Sequence, residues 1–172
     1  GNGPKDLEEV CIELAANMLY LAKCGEISEL KLKLKELLEN GKAFGKFKEF
    51  IGAQGGNVEA IEDVSFLPTA KVFLKYNAKK SGYISKIEAE KLGIASMMLG
   101  GGRAKKTDSI DYGVGIVLDK KVGDFVKEGE PLLTLHINNE DKVDEVMKLL
   151  DSAYEYENEE VKKEELIADV IC

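Results

Sequence analysis

The sequence predicts an α+β protein, because helix-like and strand-like patterns occupy separate stretches of the chain instead of alternating. Amphipathic helical spacing fills the region from residue 6 to residue 54. Short strand-like segments around glycine turns dominate the region after residue 70. A hydrophobic fraction of 44% and a charged fraction of 33% are typical of a globular chain.

The N-terminal region predicts three helices. In "KDLEEVCIELAANMLYLAKCGE" the apolar residues recur at i, i+3, i+4 and i+7, and we expect Asp6 to cap this helix and Gly25 to end it. Ser28 is expected to cap a second helix, and a third covers Lys42 to Gln54. Three such helices make a marginal core by themselves, so we expect them to be the end of a larger domain. The start "GNGP", without an initiating Met, fits that expectation.

The second half predicts mixed elements. Strands are expected at "KVFLKY" and "SGYISKI", joined by a polar turn at Asn77 to Ser81, and in the segments "VGIVLDKKV" and "GDFVKEGEPLLTLHI". Helices are expected at "IEAEKLGIASMML" and "DKVDEVMKLLDSAY", and the tail "VKKEELIADVIC" is expected to form a short helix or a strand. The predicted organisation is a helical segment over 1–57, a linker over 58–70 and a C-terminal α+β domain over 71–172.

Composition excludes several classes of function. The net charge of −8 argues against general binding to nucleic acid or an anionic membrane. No apolar run approaches the roughly 18 to 20 residues that span a bilayer. Cys11, Cys24 and Cys172 are far apart, and His136 is the only histidine, so the sequence predicts no metal site and no metal cofactor. Sparse thiols of this kind suit a reducing cytoplasm.

The stretch "LGGGRAKKTDSIDYGVGIVL" raises the question of a phosphate-binding loop. Such loops lie at the start of a helix, whereas these glycines follow a helical pattern. The third glycine of a GxGxxG motif would fall at Lys105, so a dinucleotide site is rejected. Three interpretations remain: a helix end with a flexible connection, an anion site using Arg103, Lys105 or Lys106, and a mobile lid beside a site elsewhere.

The segment "GIVLDKKVGDFVKEGEPLLTL" resembles the half-motif of biotinyl and lipoyl carrier domains. Its glycine turns and alternating apolar residues predict a barrel-sandwich-like β portion. Carrier chemistry needs a modified lysine in a hairpin after that turn, yet Lys142 opens a helix and Lys91 precedes the turn. A stand-alone carrier or binding module is therefore the weaker alternative. His136 lies in a strand pattern, which favours a structural role.

An ordered set of motifs extends over nearly the whole chain. Its upstream pieces are "GPKDLEEVCIELAANML", "NGKAFGKFKEFIGAQGG" and "FLPTAK". Its positions further along are Gly82-Tyr83, Glu88-Ala89-Glu90, Leu99-Gly100, Gly102-Arg103, Lys106, Asp108, Ile110-Asp111, Val114-Gly115-Ile116, Lys121 to Asp124, Val126, Gly129 to Leu132, His136 and Asn138. In this order, the set resembles the C-terminal region of pyrimidine-nucleoside and thymidine phosphorylases.

This resemblance implies an enzyme that cleaves uridine or thymidine with phosphate, as a cytoplasmic homodimer without a cofactor. It implies a C-terminal α+β domain preceded by helices from the end of an α/β domain. The family's phosphate-binding and base-binding segments lie upstream, so no catalytic, substrate-binding or metal residue is assigned here. The resemblance instead marks a domain-closure loop, formed by Gly100, Gly101, Gly102, Arg103, Lys106, Asp108 and Asp111. Gly101 replaces a usual Ala, and Tyr112-Gly113 replaces a common Pro-Ala, which should loosen this loop.

Overall fold

The computed structural model describes residues 1–163 and 165–171, and the chain divides into two compact units. Unit 1 contains residues 1–66 together with the described part of 164–172, and unit 2 contains residues 67–163. Cys172 lies outside the described residues. Helix and strand contents are those of an α+β protein, as predicted, and the two sheets formed by the described residues are open and close no barrel.

The helices of unit 1 are α1 (Lys5–Leu21), α2 (Ile27–Glu39), α3 (Lys42–Ala53) and the single turn α4 (Glu59–Glu62), followed by a 3₁₀ turn at Val64–Phe66. The first three agree with the predicted helices. The predicted caps are wrong, because α1 begins after Pro4 and α2 after Glu26, without a side-chain capping bond at either end. Pro4 fixes a φ suited to a helix start, so Asp6 lies in the first turn instead.

Unit 2 contains two three-stranded antiparallel sheets. Its strands are β1 (Val72–Asn77), β2 (Gly82–Ile87), β3 (Gly115–Leu118), β4 (Phe125–Val126), β5 (Pro131–Ile137) and β6 (Tyr154–Glu157). The strand orders are β1-β5-β3 and β4-β2-β6. The predicted turn between β1 and β2 is present, yet it joins strands of different sheets. Ala78 exchanges two 2.8 Å backbone bonds with Gly129 and Glu130, and these hold that turn against the other glycine turn.

Two helices complete unit 2, namely α5 (Ala89–Ser96), which continues as a π-helical turn over Met97–Gly101, and α6 (Val143–Asp151). The predicted extension of α6 to Tyr154 is wrong, because Tyr154 begins β6. Residues 161–163 and 165–171 of the tail form neither the short helix nor the strand that was predicted. One apolar core draws on both sheets and both helices, through residues such as Tyr76, Ile84, Leu99, Val126, Leu133, Leu135, Val146 and Leu150.

Candidate functional site

The predicted loop begins where α5 ends. Gly100 has a φ of 106°, a left-handed conformation that L side chains rarely adopt, and it terminates the helical path within the π-helical turn. The three glycines therefore lie at the carbonyl end of a helix, which is the wrong end for a phosphate. Of the alternatives left open by the sequence, this placement agrees with a helix end that leads into an irregular connection.

Gly101 and Gly113 are packed closely, which differs from the predicted loosening. A Cβ on Gly101 would lie 2.8 Å from Ser96 Oγ, closer than real Cβ contacts allow. Gly113 is buried, and its Cβ would lie 3.1 Å from the backbone carbon of Thr69. At both positions the missing side chain permits a close approach between the loop and a neighbouring segment, so the extra glycines serve packing as well as chain flexibility.

Asp111 is the residue through which the loop is fastened. Its backbone N–H donates to Gly100 O at 2.9 Å, so the two ends of the loop are directly bonded. Its carboxylate accepts from Asn138 Nδ2 at 2.8 Å and from the Gly113 N–H at 2.9 Å. Asn138 Oδ1 accepts from the Lys71 N–H at 2.8 Å, which extends the network to the start of β1.

These bonds also set the ionisation of Asp111. The side-chain bond from Asn138 is the largest cause, the Gly113 N–H is the next, and together they hold the pKa of the carboxyl below its usual range. The carboxylate is thus the stable form at neutral pH, with both oxygens occupied as acceptors. Asp111 acts as an anchor of the loop in this arrangement.

Further along, Asp108 closes a tight turn. Its Oδ2 accepts from the Lys105 N–H at 2.8 Å, and its own N–H donates to Lys105 O at 3.0 Å. This turn presents Arg103 and Lys106 to solvent, and neither side chain forms a hydrogen bond or ion pair with any residue that the structure describes. The loop therefore exposes positive charge on a chain whose net charge is −8.

A cavity of about 610 Å³ lies beside the fastened end of the loop. Its lining residues are Pro68, Met98, Leu99, Gly100, Ser109, Ile110, Asp111, Tyr112, Asn139 and Lys142. Lys142 forms an ion pair of 2.6 Å with Glu145, and Tyr112 is 77% exposed at the rim. The cavity is an open notch lined by both apolar and polar residues.

Other predicted candidates stay apart from this loop. His136 lies in β5 with its ring 4.7 Å from that of Phe73 in an edge-to-face contact, which fits the predicted structural role. Lys91 lies in α5, and Lys142 is the residue before α6, so neither is on a hairpin tip where a carrier lysine would be modified. Within residues 1–163 and 165–171, no group of three or more metal-ligating side chains is found, and no helix is long and apolar enough to cross a membrane.

Sequence reasoning placed Asn138 among the matching positions without giving it a role, and it did not single out Lys71 or Ser109. The available signal is that Asn138 directly follows the apolar alternation of β5, where a polar residue marks the strand end. Its partner Asp111 is 27 residues away in the sequence. A contact between residues so far apart depends on the register in which β3 pairs with β5.

Comparison with known proteins identifies relatives. A family model described as "Pyrimidine nucleoside phosphorylase C-terminal domain" matches residues 83–157. The chain is 49% identical over 156 residues to a pyrimidine-nucleoside phosphorylase of Staphylococcus haemolyticus, covering 90% of this chain and 36% of that protein. It is also 49% identical over 154 residues to one of Staphylococcus aureus, covering 89% and 35%. The chain thus spans about a third of the length of these relatives.

Proposed function

We propose that the chain, whose residues 83–157 match the C-terminal domain of the pyrimidine-nucleoside phosphorylase family, is part of an enzyme that cleaves uridine or thymidine with phosphate. In that reaction a phosphate oxygen bonds to the anomeric carbon as the glycosidic C–N bond breaks, which yields the free base and a pentose 1-phosphate. The 49% identity over 90% of the chain is the observation that carries the proposal. Such an enzyme is a pentosyltransferase of nucleoside salvage, with phosphate as a substrate and no cofactor.

We infer that this chain alone does not complete the active site. It spans about a third of its relatives, and the packing of unit 1 supports the same conclusion. Among its described hydrophobic residues, only Ala16, Leu30 and Ala60 are buried, whereas Met18 and Leu21 are 71% and 80% exposed. Helices with such exposed apolar faces are stabilised when further polypeptide covers them. The chain by itself is expected to show no phosphorolysis.

The loop from Gly100 to Asp111 is proposed to support closure of the catalytic cleft in the complete enzyme. Closure would exclude water and bring positive groups toward phosphate, and both effects favour phosphorolysis. Arg103 and Lys106 are exposed cations without a partner among the described residues, so they are available for contacts with another domain. The hydrogen bonds of Asp111 hold the end of the loop that carries these cations.

The complete enzyme is further proposed to be a cytoplasmic homodimer. Cys11 and Cys24 are exposed free thiols, as expected in a reducing compartment. Light scattering of the complete enzyme tests the dimer, and fractionation of native cells tests the location.

Two experiments test the function. Phosphate-dependent release of uracil or thymine by the complete enzyme tests the reaction itself, and its absence would refute the family activity for this protein. The closure role is tested by Arg103→Ala and Lys106→Ala in that enzyme. We expect kcat to fall several-fold with the circular dichroism spectrum unchanged. Lys148→Ala, at an exposed position on α6, is the control and should retain full turnover. Unchanged kcat in both loop variants would exclude the closure role while leaving the activity intact.

A further inference from the structure

A second cavity, of about 490 Å³, lies in unit 2 where β1 ends and β6 begins. It is lined by Tyr76, Lys79, Lys80, Asp151, Tyr154, Glu155 and Tyr156. None of these residues lines the notch beside the glycine loop. The combination of three tyrosines with two adjacent lysines gives this cavity several hydrogen-bond donors, in a part of the domain to which the proposed reaction assigns nothing.

The three tyrosines form a stacked row. The ring centroids of Tyr76 and Tyr154 are 6.1 Å apart, and those of Tyr154 and Tyr156 are 6.4 Å apart. The Tyr76 hydroxyl donates a hydrogen bond to Asp151 Oδ1 at 2.8 Å. The hydroxyls of Tyr154 and Tyr156 are buried, and they have no hydrogen-bond partner among the described residues. Tyr154 is only 7% exposed, so its hydroxyl is an unsatisfied donor of the kind that folded proteins rarely retain.

The charges around the cavity leave one lysine uncompensated. Asp151 pairs with Lys79 at 3.3 Å, and Glu155 pairs with Lys86 at 3.3 Å. Lys80 Nζ lies 5.5 Å from the centroid of the Tyr156 ring and forms no ion pair with any residue that the structure describes. The cavity therefore combines two neutral donors with one ammonium group that lacks an anionic partner.

We propose that this cavity binds the phosphate group of a small anion, with Lys80 and the hydroxyls of Tyr154 and Tyr156 as its donors. A phosphate group offers several acceptor oxygens on one centre, so it can accept from Lys80 and from the two tyrosine hydroxyls that lack a partner among the described residues. Lys79 and Lys80 extend over the rings of Tyr76 and Tyr156, at 5.7 Å and 5.5 Å from their centroids. Because both side chains are long and rotatable, Lys79 can move aside as an anion enters, and Lys80 can turn from the Tyr156 ring to bind it.

The phenols retain their protons over the physiological range. Burial is the main cause, and it raises the pKa of Tyr154 to about 12. Burial likewise raises the pKa of Tyr156, with the charge on Asp151 as a further cause. Both phenols therefore keep a proton that they can donate at neutral pH.

Titration of the 172-residue chain with inorganic phosphate tests the site, at constant ionic strength set by chloride. Tyrosine fluorescence is a direct readout, because the chain has six tyrosines and no tryptophan. Amide NMR shifts of Lys80 and Tyr156 localise the binding. A saturable response confined to this cavity is expected, and a parallel titration with ribose 5-phosphate distinguishes free phosphate from a sugar phosphate as the tighter ligand.

Variants assign the donors. Tyr154→Phe and Tyr156→Phe should each raise Kd about three- to tenfold, since a neutral hydrogen bond has about that effect, and Lys80→Met should raise it about tenfold or more. Tyr83→Phe and Lys75→Met are the matched controls outside the cavity and should bind as the unmodified chain does. A response no larger than that to chloride would overturn the proposal. So would a Kd for Lys80→Met and Tyr156→Phe that is unchanged from that of the unmodified chain. Thermal melting verifies that each variant is folded.

Discussion

The side-chain amide of Asn138 donates a 2.8 Å hydrogen bond to Asp111 Oδ2, and this bond joins the glycine loop to the end of β5. Asn138 also accepts from the Lys71 N–H, so one side chain connects the loop, the central strand of a sheet and the start of its edge strand. The loop leaves α5 through a glycine-dependent turn, and its return is fixed by this polar contact.

Removing the side chain that bonds to Asp111 should loosen the loop. Asn138→Ala removes the hydrogen bonds of Asn138 to Asp111 and to the Lys71 N–H. We therefore expect the melting temperature to fall by on the order of a few degrees. Hydrogen exchange at Lys71 and Gly113 should accelerate in the same variant. The control is Asn139→Ala, whose side chain bonds only locally to Asp141. Equal effects of the two substitutions would show that the contact does not hold the loop.

The anchor should also depend on pH. The pKa of Asp111 is lowered in the folded state, so its contribution to stability is present above the ordinary aspartate pKa of about 3.9 and is lost as pH falls through the lower folded value. The difference in unfolding free energy between the native chain and Asp111→Asn should therefore be largest near neutrality and shrink below about pH 4. Urea unfolding of both chains across pH 3 to 7 measures it, and a constant difference would contradict the anchor role.

Two glycines of the same helical region should respond in opposite directions to alanine. Gly100→Ala places a side chain at a φ of 106°, which should cost about 1–3 kcal/mol. Gly93→Ala is the matched control, because it is exposed inside α5 with nothing within 4 Å of a new Cβ. It should stabilise the helix by about 0.5–1 kcal/mol. Thermal and urea unfolding measure the change in the free energy of unfolding for each variant. Changes of the same sign in both variants would refute the conformational argument.

Gly101 tests whether the loop is tightly packed. A Cβ there would lie 2.8 Å from Ser96 Oγ and 3.2 Å from the Ser96 carbonyl oxygen. Gly101→Ala should thus destabilise the chain by about 1 kcal/mol or more. Adding Ser96→Ala removes the nearer contact, so the double variant should recover part of the loss. A coupling energy near zero in this double-mutant cycle would mean that the turn shifts freely instead.

The helices were predictable because their apolar spacing is local, whereas the site depends on contacts that are not. The bounds of α1 to α3 follow from residues such as Leu14 and Leu30 at helical intervals. Strand β6 was not predicted because "YEYE" lies beside an acidic run, and its buried and half-buried tyrosines alternate with exposed glutamates. The Asp111–Asn138 contact spans 27 residues and arises only once β3 pairs with β5. The predicted cap of α1 was wrong for a different reason, since this helix begins after Pro4 and has no side-chain capping bond.

The two units should differ in how they tolerate loss of apolar side chains. Leu135→Ala removes a fully buried side chain from the core of unit 2, and we expect it to destabilise that unit by about 2–5 kcal/mol. Leu21→Ala, at a side chain 80% exposed, should change the stability of the 172-residue chain by less than about 0.5 kcal/mol. In the complete enzyme, Leu21→Ala should destabilise measurably if preceding polypeptide covers α1. An equally small effect of Leu21→Ala in both contexts would show that this face stays in solvent, and it would contradict the inference that unit 1 is one side of a larger domain.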